Sequence, residues 1–375
     1  MKKFISILLA MLMLMSLFTA CGQPKEAEKE AAEPQEIKEE PAEETVEKTV
    51  REFTDSVGRT LSVPANITKI AVSGPLTQIY ILPLAGDMLV GVSRRFSEDA
   101  QKYLPEEIYQ KTEIGQLYGG KGELDLEALL SVAPDVVIDV GEAKKTIKED
   151  LDSLTEQTGI PFLHIDATVM TAPEAYRTLG QLLGREEKGN ELADYCQSIL
   201  DNVEEMMQKV DADGNRKSLL YLLGDSGCNV LAEGSFHAET VNTMGRNLAV
   251  LEDVVSKGSG NEVDLEQILK WNPDVILFSS DSIYDEVKDM EAWQALDAIS
   301  SGNYYEAPSA PYGWLSSPPS VQRYLGLLWL GELLYPEYVN YDLESAVKEY
   351  YELFYGCELT DEMYSELVVN ALPRE

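Results

Sequence analysis

Reactive side chains at workable spacing are scarce in this chain. Histidine occurs only at His164 and His237, too few for a His-rich cage around zinc or manganese. The cysteines, Cys21, Cys196, Cys228 and Cys357, form no CxxC pair, so neither a zinc ribbon nor a disulfide framework is indicated. No GxSxG, HExxH, phosphate-loop or dinucleotide fingerprint stands at a suitable place. The residues therefore read as a binding protein, not an enzyme, with no resident metal and no cofactor.

Recognition chemistry is better represented. Arg94 and Arg95 suit a carboxylate or phosphate. The segment Pro311–Ser320 gathers aromatic, Gly, Pro and Ser residues, which make poor core material. Tyr312, Trp314 and Ser316 within it are expected to give an apolar wall and hydrogen bonds. Ser73 and Thr77, Tyr118, and Ser235 with His237 occupy Gly-containing segments that read as strand-to-helix loops. All ten residues are expected to line a ligand cleft. His237 reads as a hydrogen-bonded loop residue more than a metal or haem ligand, and His164 as structural.

Such loops need rigid elements to hold them. An internal repeat supplies the framework. Asp125–Ile138 (DLEALLSVAPDVVI) and Asp264–Leu277 (DLEQILKWNPDVIL) agree at seven of fourteen positions, at an offset of 139. Each copy reads as a capped helix, a Pro-Asp turn and a buried strand. Further strands are expected at 67–72, 89–92 and 161–165, then at 218–223, 276–279 and 304–307. Helices are expected at 77–85, 149–158 and 238–244. Strands alternating with helices indicate parallel α/β sheets. Helical patterns at 173–184 and 186–210 lie between the halves, the second long and poor in Gly. The expected fold class is α/β, with two Rossmann-like lobes joined by one long rigid helix. The lobes are expected at 53–184 and 213–375, with the linking helix at 185–212 and the ligand between them.

The first residues read as an address. Lys2 and Lys3 precede an apolar run to Ala20, and Phe18-Thr19-Ala20-Cys21-Gly22 resembles a lipobox. Residues 1–20 are expected to be a lipoprotein signal peptide and Cys21 the lipidated residue. Residues 21–52, with eleven acidic and five basic side chains, read as a disordered acidic tether. The protein is thus expected to be extracytoplasmic and held to the cell membrane by a lipid anchor. A formal net charge of −36 argues against nucleic acid as a partner.

Over nearly all of residues 53–375 the sequence resembles the ABC-importer substrate-binding proteins for iron–siderophore complexes, haem, cobalamin and, in one branch, molybdate or tungstate. Asp55-Ser56-Val57-Gly58-Arg59 with Val63-Pro64 and Ile67 carries the opening motif. The paired Asp-Leu-Glu … Pro-Asp-Val segments carry the lobe signature. Trp293, Leu296, Ala298, Ile299, Gly302 and Tyr304 add a third match, and Gly326–Leu330, Leu334–Glu337 and Phe354–Gly356 a fourth. The resemblance implies the class III periplasmic-binding-protein fold, a monomer and no catalysis. It implies that Glu127 and Glu266 dock with the permease dimer. The ligand expected is an iron complex; a molybdate or tungstate oxyanion is the alternative, and a structural surface lipoprotein an alternative of another class. The related subgroup often has an acidic-basic pair where Ser316 and Ser317 stand, which leaves the ligand class open.

Overall fold

The computed structural model describes residues 49–118 and 122–373. The expected signal peptide, Cys21, all but the end of the expected tether, and Gly119-Gly120 lie outside the described residues.

The first sheet places Val136–Gly141 between Ile70–Val72 and Phe162–Asp166, all parallel. Its central strand is buried along its whole length. Alternate residues serve two cores. Val136, Ile138 and Val140 join the large core, while Val137 packs with Leu129, Ile147 and Leu151 beneath helices Leu126–Val132 and Ile147–Thr158. A strand covered on both faces needs no polar alternation, which is why it reads as an unbroken apolar run.

The second sheet runs parallel through Ser218–Leu223, Val275–Phe278 and Tyr304–Glu306. It also holds antiparallel strands Asn229–Val230 and Asn261–Glu262. The sheet is therefore mixed, where the sequence suggests a parallel one. Gly224 and Gly227 take φ of 73° and 66°, and the Gly227 amide donates to the Gly224 carbonyl at 2.9 Å. This turn doubles the chain back, so Gly224–Cys228 connects strand to strand and not strand to helix.

The repeat is physically the same device twice. Asp125 and Asp264 cap their helices by accepting the Ala128 and Gln267 amides at 2.9 and 2.7 Å. Both helices end on a left-handed residue, Ala133 or Asn272. Asp135 and Asp274 then accept hydrogen bonds from Thr68 and Ser218, at the start of the neighbouring strand. The carboxylate fixes the strand register that the turn alone would leave loose.

Helix Glu186–Ala212 is the long connector. Its buried residues Leu192, Ala193, Cys196, Ile199, Leu200, Val203, Met206, Met207 and Val210 recur at helical spacing and face the large core. It crosses helix Ala172–Leu183 at Gly189 and Gly180. A side chain at Gly189 would meet the Tyr176 carbonyl at 2.7 Å, so only glycine permits this approach. The large core holds one face of each sheet, helix Pro75–Ala85, helix Arg323–Leu334 and the connector together.

The described chain opens on a hairpin that takes in residues 50–52, the last of the expected tether. Val50–Thr54 pairs antiparallel with Thr60–Pro64. Arg51 anchors it by donating to the Leu182 carbonyl at 2.5 Å, and Asp55 closes the turn through Arg59 at 2.6 Å.

Candidate functional site

The segments that follow strands Ile70–Val72 and Gly91–Val92 in lobe one, and Ser218–Leu223, Val275–Phe278 and Tyr304–Glu306 in lobe two, open onto one cavity of about 760 Å³. That is within the range of small-molecule sites, roughly 300–1,000 Å³. Lobe one contributes Gln78, Arg94, Arg95 and Phe96; lobe two contributes Tyr221, Asn229, Ser279, Ser280 and Asp281. The segment from Ala307 to Ser317 adds Pro308, Ser309, Pro311, Tyr312, Gly313 and Ser317.

Gln78 is set by its neighbours. Its Oε1 accepts from the Ser93 amide at 2.8 Å and the Ser93 hydroxyl at 3.1 Å. The rest of its amide interacts with the Tyr312 hydroxyl. Tyr312 is buried, and burial pushes its phenol upward against the opposing influence of Gln78 and Arg94. The hydroxyl therefore stays neutral and can donate. Arg94 is exposed and forms no ion pair among the described residues. Arg95 leans towards Glu113 at 3.6 Å, both side chains well exposed.

Of the ten expected cleft residues, the cavity gathers Arg94, Arg95 and Tyr312. The other seven do not border it. Trp314 is 0% exposed and packs in the large core, where its backbone amide donates to the Pro308 carbonyl at 2.9 Å and turns the segment inward. Ser73 and Thr77 are buried in a polar web. The Ser73 hydroxyl donates to Asp139, whose other oxygen meets His164 Nδ1 at 2.7 Å. Thr77 Oγ1 accepts the Val140 amide at 2.8 Å. Tyr118 donates to Asp150 at 2.7 Å. Ser235 caps a short turn by accepting the His237 amide at 3.2 Å. Ser316 meets His237 Nδ1 at 2.9 Å. Burial, with Arg323 and Lys144 nearby, lowers His237 to about 4, so the ring is neutral. Glu127 and Glu266 are exposed on the first turns of the two repeat helices.

Sequence reasoning missed Gln78, Phe96, Tyr221 and the Ser279–Asp281 turn. Ser279 reads as the end of a strand, yet that strand stops at Phe278 and Ser279 is the first residue to face the cavity. The rule that ligands sit beyond strand C-termini would have found it.

Beside the cavity the lobes are fastened. Glu239 accepts the Val169 amide at 3.0 Å and Arg323 Nη1 at 2.7 Å. Tyr324 donates to the Val169 carbonyl at 2.6 Å, and Ser320 to the Leu76 carbonyl at 2.9 Å. Arg323 is 1% exposed and lies over the Phe236 ring at 4.6 Å.

A model of the family described as periplasmic binding protein matches residues 81–311. The chain belongs to that family. As a periplasmic binding protein it is an extracytoplasmic solute receptor and not an enzyme. It is 26% identical over 251 residues to the Fe(3+)-citrate-binding protein YfmC of Bacillus subtilis, covering 64% of this chain and 75% of that one. It is 23% identical over 324 residues to the molybdate-binding protein MolA of Haemophilus influenzae, covering 81% and 91%. The solved ABC transporter solute binding protein of Sulfurospirillum deleyianum superposes with a TM-score of 0.77 at 28% identity, covering 84% of this chain and 98% of that one. Among the described residues no helix is long and apolar enough to cross a membrane.

Proposed function

We propose that this periplasmic binding protein captures an iron chelate between its lobes and delivers it to an ABC permease. The cavity carries the reading. About 760 Å³ with two arginines and ring walls suits a chelate bearing carboxylates or catechols. A tetrahedral oxyanion occupies on the order of 90 Å³, taking about three water volumes. Similarity to a ferric-citrate receptor supports the same reading. Glu127 and Glu266, exposed at equivalent places of the repeat, would face a twofold permease. Cys21 would carry the lipid that holds the receptor at the membrane.

The similarity to MolA favours one second reading, an oxyanion held by Gln78, Tyr312 and Arg94. Thermal unfolding of the chain with ferric citrate, ferric siderophores, haem, corrinoids, molybdate and tungstate separates the two. A ligand at a hundredfold excess over Kd stabilises by about 2.7 kcal/mol. A rise in Tm with a ferric chelate supports the proposal. A rise with the oxyanions alone replaces it with the second reading.

A further inference from the structure

The two walls of the cavity differ in chemical sense. Lobe one presents donors: the guanidinium groups of the exposed Arg94 and Arg95. Lobe two presents the Asn229 amide and, for the rest, oxygen: the Tyr221 phenol, the hydroxyls of Ser279 and Ser280, and the Asp281 carboxylate. Among the described residues bordering the cavity, both cations belong to lobe one and the only carboxylate to lobe two.

Asp281 is oriented. Its Oδ1 accepts the Ser279 hydroxyl, which leaves Oδ2 for another partner. No basic side chain pairs with it among the described residues. Asp281 is exposed, so a ligand that covers it takes its water, and a desolvated charge needs a countercharge. Two groups could supply it: an arginine crossing from lobe one, or the ligand. Arg95 is already drawn towards Glu113 on its own lobe, and a ligand filling 760 Å³ would stand between the walls. A ligand ammonium has three donors, which Asp281 Oδ2, Ser280 and the Tyr221 hydroxyl could receive.

We infer that the cavity selects a bipolar iron chelate, with an anionic group towards Arg94 and Arg95 and a protonated amine towards Asp281. This rests on the iron-chelate reading above. It narrows the ligand to chelators that carry both carboxylate and amine groups.

A matched pair of ferric hydroxamate chelates tests it, each with one carboxylate, one with a free primary amine and one with that amine acetylated. Binding of both to the full chain is measured by isothermal titration at pH 7. The free-amine form should bind roughly tenfold more tightly, the scale of one charge-assisted hydrogen bond. Asp281→Asn should bring that ratio to about one, and Arg94→Ala should weaken both forms. Equal binding of the two forms by the native chain would overturn the inference. So would an Asp281→Asn variant that weakens both forms equally, the signature of an Arg94–Asp281 latch. If neither ferric chelate binds the native chain, the inference falls, while the thermal-unfolding panel decides the iron-chelate reading separately.

Discussion

Glu239 and Arg323 meet at 2.7 Å where the two lobes join, and the same Glu239 oxygen holds the Val169 amide. One carboxylate thus serves a buried cation and a backbone donor. Glu239→Ala would strand both, at a cost of about 3–5 kcal/mol for a broken buried pair. Arg323→Met removes the buried charge and leaves Glu239 partly in water, so it should cost less. Urea melts of the two variants check the order.

The repeat allows a paired test. Ala133 and Asn272 hold equivalent places with φ of 46° and 40°. Ala133→Gly relieves a left-handed alanine and should stabilise by roughly 0.5 kcal/mol, after the greater freedom of glycine in the unfolded chain is set against the relief. Asn272→Gly should do the reverse, by about 1 kcal/mol. Asn272 donates to Asp297 at 2.7 Å and accepts its amide at 3.1 Å. Opposite shifts in Tm are expected.

Asp274 gives an acid limb to stability. Burial alone would raise its carboxyl, but two Ser218 hydrogen bonds outweigh that and hold it below the ordinary 3.8. A depressed carboxylate contributes stability above its unfolded pKa and loses it as pH falls through the folded value. Asp274→Asn should therefore show a shallower loss of Tm below pH 4 than the native chain.

His237 acts with the same slope for another reason. Its ring is lowered to about 4, chiefly by burial. Between that value and its ordinary 6.5 the unfolded chain binds the extra proton, so this contribution rises with pH and is complete above about 6.5. An NMR titration should find the His237 ring neutral at pH 5.5. Protonation near pH 6.5 would contradict the burial described.

Much of this molecule was legible in the sequence. The Asp-Leu-Glu … Pro-Asp-Val repeat located two helices, two turns and two central strands, because capping and turning are local events. The cleft was harder. Trp314 reads as a loop aromatic, yet it is buried in a core built from residues far along the chain, Tyr351 among them, whose hydroxyl interacts with it. Gln78 reads as an ordinary helical residue, and its role depends on Ser93 across a strand. Arg94 and Arg95 border the cavity, and they stood out in the sequence because charge beside a strand end is a signal that needs no tertiary knowledge. The antiparallel strands at Asn229 and Asn261 are two residues each, too short for periodicity to show.

The fastenings at Val169 and Leu76 have a consequence for unloading. They tie lobe two to the backbone of lobe one beside the connector, where small rotations would have to begin. On the proposed function, such ties should keep thermal opening of the cavity small and make cargo slow to leave the free receptor. Rapid discharge would then require outside work on the lobes, and the release step would be timed by whatever supplies that force.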